Sequence, residues 1–502
     1  MKSPVVVLHP SMVRTGIMNL SIHLIIALAG LAVLSLSARA QCTDHEQQKL
    51  VAGDWVADWR GNGSLSMSHD VVLMTAFDED GGQGRAHVFR WNGIEWLEEQ
   101  ELTSRSDGAC DHFGYSCSIS GNLAVISSPY NDYGRDCPGY AMVFRHDGVQ
   151  WVEEQRLSAS DQQENDYFGE SVEVDGNVVL VGARYEGSAY VFRHDGTQWL
   201  EEQKLAPSDG DARDFGSSVS VDGNLALIGA AENDPGAAYM FRFDGTQWLE
   251  EQKLTASDST ARHRFGHSVS LKGDLALIGA WDDAQAYHSG AAYVFRYDGS
   301  QWVEEQKLKA SDPFTEQHFG WTVSVDDNLI VAGAGTLDAS GTTLNGGAYV
   351  FRFDGIHWIE QMRLVPANGD GVGVTVALSG NVALVGLGSE SRSGVLHPSA
   401  FAFSIARLAL DTSAESAGPG DTLSMFTCGG VSDAPVILVA VDLNGGPSFL
   451  PVAIASFDAS GRSSIADTVP PGLGGIAVGF QSIGFFFTGR IGASNRREVT
   501  FR

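Results

Sequence analysis

Residues 215–254 read FGSSVSVDGNLALIGAAENDPGAAYMFRFDGTQWLEEQKL, and variants of this unit fill most of the chain. They begin at Phe113, Phe168, Phe215, Phe265 and Phe319, at intervals of 47 to 55 residues, with degenerate copies near Gly61 and Val372. That makes seven copies. Within the unit, SVSV and NLALIGA are short alternating or apolar runs joined by Asp-Gly, and a second Asp-Gly joins AAYMFRF to a Trp-bearing run. Each copy therefore reads as four strands in two hairpins. Such a unit cannot cover both its faces alone, and radial stacking of copies gives a β-propeller. The expectation is an all-β chain with seven blades.

The ends predict how the ring closes. Glu46 to Asp54 copies Glu250 to Asp258, a fourth strand and the loop after it, yet it precedes the first full copy. The seventh copy has strands at Val372 to Leu378, Asn381 to Leu387 and Ser399 to Ile405, but no Trp-bearing strand follows. The N-terminal strand is thus expected to complete the last blade and remove its open edge. After Leu408 the repeat stops, and short apolar runs punctuated by turns such as Pro470-Pro471-Gly472 read as a small β-sandwich over 409–502.

Composition narrows the partners. With 62 acidic against 32 basic residues the net charge is −30, which disfavours nucleic acid and anionic membranes and favours cations or basic ligands. Lys2 and Arg14, the apolar run Leu24 to Leu34 and Ala38-Arg39-Ala40 read as a signal peptide over 1–40, with Gln41 as mature N-terminus and Met12 or Met18 as alternative starts. Cys42 falls one residue late for a lipoprotein box, and no later run is long enough to span a bilayer. A secreted or cell-surface monomer is expected. Export permits disulfides. Cys110 and Cys137 fall at one end of one blade and are expected to pair, whereas Cys117, in the place of Val219, reads as a buried thiol.

Phe168-Gly169 with Gly182-Ala183, and Phe265-Gly266 with Gly279-Ala280, resemble the FG-GAP repeat of integrin alpha-chain β-propellers, over about residues 46 to 408. The C-terminal Ser494 to Arg502 resembles the last strand of modules on secreted planctomycete-type bacterial proteins. The FG-GAP resemblance implies a calcium loop between strands one and two in many members. Here that place holds only Asp222-Gly223-Asn224, Asp175-Gly176-Asn177, Gly121-Asn122 or Lys272-Gly273-Asp274. A two-residue turn cannot supply six oxygens. No metal ligand or other cofactor is assigned, and calcium stays open only at the acidic loop Asp78 to Gly81, which otherwise reads as a solvated turn.

Residues that recur in every copy read as structure. The tryptophans at 96, 151, 199, 248, 302 and 358 are expected opposite the Phe of the YVFR strand. The Glu pairs at 98/99, 153/154, 201/202, 250/251 and 304/305 read as outer-strand charges facing Arg, since neighbours on a strand point to opposite faces. Two readings stay open for Asp54, Asp107, Asp161, Asp209, Asp258 and Asp312, with Asn368 in the seventh copy: side-chain turns, or an acidic crown on one face.

Function should lie where copies differ. The residue after Phe-Gly varies as Tyr115, Glu170, Ser217, His267 and Trp321, and the loops between strands two and three vary in length and content. Ligand-binding candidates on this face are Tyr115, Tyr130, Asp132, Tyr133, His267, Trp281, Asp282, Asp283, Tyr287, His288 and Trp321. Aromatic and carboxylate side chains there suit an extracellular protein or polysaccharide. The leading expectation is a non-enzymatic binding or adhesion protein. The alternative is a hydrolase or lyase at the channel mouth, built on His267, Trp321, Asp282 and Asp283, and a purely structural envelope role is the third. No nucleophile elbow, zinc-protease motif or phosphate loop is present.

Overall fold

The computed structural model describes residues 46–52, 63–77, 84–104, 112–129, 139–163, 166–232, 235–259, 263–282, 289–312, 318–337, 343–365, 372–387, 399–405, 422–426, 436–442, 447–453 and 496–500. The chain forms two units, one of them Glu46–Ile405 and the other containing the C-terminal Ala406–Arg502. In the C-terminal unit, Thr422–Phe426 pairs antiparallel with Arg496–Thr500, and Val436–Asp442 with Pro447–Ala453. These are ladders of the expected sandwich.

The first unit contains seven four-stranded antiparallel sheets. Blade one comprises Leu65–Ser68, Val71–Ala76, Arg85–Trp91 and Trp96–Leu102, and the first strands of blades two to six are Cys117–Ser120, Phe168–Asp175, Ser218–Asp222, Phe265–Lys272 and Val323–Asp326. Blade seven comprises Val372–Ser379, Val382–Leu387 and Ser399–Ser404, with Glu46–Val51 as its fourth strand. Leu50 lies opposite Ala400 and Lys49 opposite Phe401, so the two ends of the ring share one sheet as expected.

Each core lies between two blades. Leu225, Leu227, Met240 and Leu254 of blade four pack with Val269, Leu271, Ile278 and Trp302 of blade five. Ala226 and Ile228 turn the other way, into the core shared with blade three. The second strand is buried on both faces, which is why LALIGA is apolar throughout rather than alternating. The ring closes on a core of Leu50, Leu384, Ala400 and Ala402 of blade seven with Val72, Met74, Phe89 and Trp96 of blade one.

The glycines of the repeat meet across blades rather than within one. A Cβ added to Gly229 of blade four would fall inside the van der Waals radius of the Gly266 carbonyl oxygen of blade five, and Gly182 meets Gly216 in the same way. The Phe-Gly turn of each such blade is therefore seated on the Gly-Ala of the preceding one. Phe215 is fully buried behind this contact, with its ring 5.4 Å from that of Tyr239.

First strands neighbour one another and line the axis. Each is a sheet edge whose amides need partners. The preceding blade supplies them: the Ser66 hydroxyl accepts the Ile119 amide at 3.1 Å, Ser118 accepts Val174 at 3.1 Å, Ser220 accepts Leu271 at 3.0 Å and Ser270 accepts Val325 at 3.1 Å. The Asp222 carboxylate accepts the Gly273 amide one turn lower, and Ser379 of blade seven accepts His69 of blade one.

At the rim, a second set of clasps recurs. The Gln203 side chain both donates to the Trp248 carbonyl at 2.8 Å and accepts the Trp248 amide at 2.7 Å in the next blade. Gln48, Gln100, Gln155, Gln252 and Gln306 do the same to Trp96, Trp151, Trp199, Trp302 and Trp358. The register corrects one expectation. Trp248 faces Phe243, and Phe241 of the YMFR run faces Glu250, because the four-residue connection 244–247 sets Phe243 and Trp248 as the first pair of the hairpin; a β-bulge at Glu251 follows farther along the fourth strand.

That bulge divides the labour of the Glu pair. Glu250 accepts the amide and hydroxyl of Ser208 in the loop of the preceding blade, at 2.6 and 2.9 Å. Glu251 binds Arg242 of its own blade and the Trp302 indole of the next. The recurrent Asp is a clasp too. Asp161 accepts Tyr190 and Lys204, Asp258 accepts Tyr293 and Lys307, and Asp312 accepts Tyr349 and Arg363, each from the following blade. The described carboxylates each face a cation and a phenol of the next blade, a role that neither sequence reading named, and Asp209, which takes Tyr239 and Lys253, also accepts the Asp211 amide at 3.0 Å in the side-chain turn that one reading expected. Cys117 is buried and free, with its thiol pushed up to about 12 by desolvation. Cys110 and Cys137 lie outside the described residues.

Candidate functional site

The first strands open onto one face through the turn that carries Phe-Gly. In each of five blades the amide after Phe-Gly donates back to the carbonyl before it: Tyr115 to His112, Glu170 to Tyr167, Ser217 to Asp214, His267 to Arg264 and Trp321 to His318, at 3.0 to 3.2 Å. The residue before Phe is held at positive φ in all five: His112 at 71°, Tyr167 at 57°, Asp214 at 61°, Arg264 at 55° and His318 at 51°. Glycine is the economical residue for that conformation, and a non-glycine there costs on the order of 1 kcal/mol. Five different turns keep a side chain where glycine would fit more easily.

Four of these side chains meet the end of the second strand of the preceding blade, Tyr167 stacks on Tyr185 of its own blade at 4.2 Å, and together they ring the channel mouth. Over blades one and two, Phe77 contacts His112 at 5.6 Å and Tyr115 at 5.2 Å between ring centroids. Over blades three to five the contacts are charged. The Arg184 guanidinium pairs with Asp214, reaches Glu170 at 3.4 Å and Glu232 at 3.3 Å, and Glu232 receives Arg264 at 3.1 Å. Tyr115 donates to Glu170 at 3.2 Å, tying this stretch to the first. Over blades five and six the mouth is aromatic again: His267 lies 4.7 Å from Trp321, Trp281 lies 5.1 Å from Trp321, and His318 lies 4.9 Å from Trp281.

Protonation follows from burial. Desolvation, then the fields of Arg184, Arg264 and His318, push His267 down to about 4, so it is neutral at physiological pH. Desolvation raises Glu170 and Asp214 and outweighs the opposing pull of Arg184. Deeper in the channel, the ring Ser66, Ser118, Glu173, Ser220, Ser270, Ser324 and Ala377 contains one carboxylate. Glu173 accepts the Val221 amide as serines do elsewhere, and burial raises it to about 8.

Of the candidates from sequence, Tyr115, His267, Trp281 and Trp321 stand around this mouth, and Asp282 is buried beside Trp281. Tyr130, Asp132, Tyr133, Asp283, Tyr287 and His288 lie outside the described residues, as does the acidic loop at 78–81. Sequence reasoning missed the position before Phe-Gly, because nothing in a single residue type announces positive φ. Its variation across His, Tyr, Asp, Arg and His in an otherwise regular frame was the available signal. Among the described residues, no three His, Cys, Asp or Glu side chains group in a way that could hold a metal ion, and no helix is long and apolar enough to cross a membrane.

The FG-GAP repeat matches five segments, residues 96–144, 151–192, 199–241, 248–295 and 302–351, so the chain carries five FG-GAP repeats. Each segment starts on the Trp-bearing fourth strand of one blade and ends in the third strand of the next. In that frame the N-terminal strand and blade one form a repeat of the same kind, which is why the ring closes with no strand left over. No curated protein sequence matches the chain. Among solved structures, U3-55K is 10% identical over 68% of this chain and 96% of its own, with a TM-score of 0.45. The RRP9 WD40 repeats are 9% identical over 72% and 99%, with a TM-score of 0.44. A functionally unknown protein from Desulfotomaculum acetoxidans is 10% identical over 62% and 87%, with a TM-score of 0.42.

Proposed function

We propose that this seven-bladed FG-GAP propeller is an exported, non-enzymatic binding protein that takes an extracellular protein or glycan at the channel mouth described above. One observation carries the reading. Five non-glycine residues of differing chemistry are held at positive φ around that mouth, and strain of this kind persists where the side chain has a use. The same blades keep Gln, Trp and Glu at their rims in near-identical geometry, so the variation is local to the mouth.

Binding is favoured over hydrolysis by what surrounds His267. Its close neighbours are Trp281 and Trp321, and the charges acting on it are cationic, which suits a recognition surface better than an acid/base pair. Export rests on the signal-like residues 1–40. Glycan and extracellular-protein arrays probed with the full chain test the reading. A ligand is expected whose binding falls at least tenfold in Trp321→Ala and Arg184→Ala, and binding indifferent to both would overturn the mouth as the site.

A further inference from the structure

Three side-chain atoms at the mouth are buried without a hydrogen-bond partner: Glu170 Oε2, Arg264 Nε and Trp281 Nε1. The Glu170 side chain is only 8% exposed, with its other oxygen already held by Tyr115 and Arg184. Buried polar groups are rarely left unpaired, and each unpaired one costs roughly 1–3 kcal/mol. Three in one contiguous patch call for an external partner. The patch is continuous: Arg184 links Glu170 to Glu232, Glu232 links to Arg264, and the fields of Arg184 and Arg264 reach His267, which touches Trp281 and Trp321.

The chemistry of the orphaned atoms selects the ligand. Trp281 and Arg264 offer donors, and Glu170 offers an acceptor. A simple anion would leave Glu170 unserved, and a simple cation would leave Trp281 and Arg264 unserved. A sugar carries hydroxyls that donate and accept at once, and its C–H face packs on aromatic rings such as Trp321. Resting on the mouth reading above, we propose that the sector between blades three and six is a subsite for a neutral saccharide, seated on Trp321 and His267 with hydroxyls bonded to Glu170, Arg264 and Trp281.

Titration of the full chain with methyl glycosides of glucose, galactose, mannose and N-acetylglucosamine, followed by tryptophan fluorescence, tests this. At least one is expected to bind, with a fluorescence change that Trp321→Phe reduces and an affinity that Trp321→Ala lowers about tenfold or more. Glu170→Gln, which keeps the side chain's size but turns the unpaired acceptor into a donor, is expected to weaken binding several-fold, and a thermal melt checks that each variant folds. No binding by any of the four up to about 100 mM, or binding unchanged in Trp321→Ala and Glu170→Gln, overturns the saccharide subsite. If the arrays instead yield a protein ligand lost in Trp321→Ala, the saccharide falls and the mouth stands. If ligand binding ignores every mouth variant, both fall.

Discussion

The rim and the mouth of the ring follow opposite rules. At the rim, six junctions repeat one clasp, Gln side chain to Trp backbone, with distances of 2.7 to 2.9 Å throughout. At the mouth, the same five turns hold His112, Tyr167, Asp214, Arg264 and His318 in one strained backbone conformation, and no two adjacent turns share a side chain. The rim satisfies backbone groups that burial would otherwise leave unpaired, so any drift there is penalised. The mouth spends backbone strain to present differing side chains. Stability and recognition are thus separable in this molecule.

The seventh junction sharpens the contrast. Met362 stands where other blades have the clasping Gln, and the strand it faces, Glu46–Val51, brings no Trp, since Asp44 occupies that place in the sequence. Met362 instead packs half-buried on the core between blades six and seven. A ring needs its closing junction held, and it is held on the other side of blade seven, by Gln48 on Trp96.

The largest expected effect comes from removing the closing strand. Deletion through Ala52 strips blade seven of its fourth strand and exposes the core around Leu50 and Ala400, and urea unfolding is expected to lose its single cooperative transition. Gly229→Ala drives a methyl into the Gly266 carbonyl of the next blade and is expected to cost about 3 kcal/mol or more by urea titration. Gln203→Ala orphans the Trp248 amide and carbonyl and is expected to cost about 2 kcal/mol. Met362→Gln, which places the clasping residue where there is no Trp to clasp, is expected to cost about 1 kcal/mol rather than stabilise.

The channel predicts a change of slope with pH. Glu173 is raised in the folded chain from 4.5 to about 8, so the stability linked to its proton is complete below pH 4.5 and lost as pH rises through 8. Glu173→Ser, matching the other rings of the channel, is expected to flatten that decline and leave the variant more stable than the parent above pH 8. His267 works in the opposite sense. Its fall from 6.5 to about 4 means that stability is lost as pH drops through that window, and His267→Phe is expected to remove the loss.

The propeller was legible in the sequence because its determinants repeat. Apolar runs, Asp-Gly turns and the displaced Glu46 to Leu50 strand each occur in a frame that the other copies calibrate. What escaped were relations between copies. Gly229 reads as the partner of Phe215-Gly216 in its own unit, yet it is packed against Gly266 of the next. The Trp register was misplaced because the four-residue connection 244–247, which sets Trp248 opposite Phe243, fixes the first pair of the hairpin. The Ser-Asp loops read as side-chain turns or an acidic crown, and neither reading named the reach of their carboxylates to Tyr and Lys of the following blade. At the mouth, Tyr115, His267 and Trp321 were found through their variability, while Arg184 and the residues before Phe-Gly required backbone angles and distances to be seen.

The most direct test of the separation is a chain carrying Tyr167→Gly and His318→Gly, measured by urea unfolding and by binding to the ligand identified on the arrays. Relief of strain offsets the lost ring contacts, so the unfolding free energy is expected to stay within about 1 kcal/mol of the parent while ligand binding is lost. A drop of several kcal/mol with binding intact would show that these side chains hold the ring rather than face a ligand.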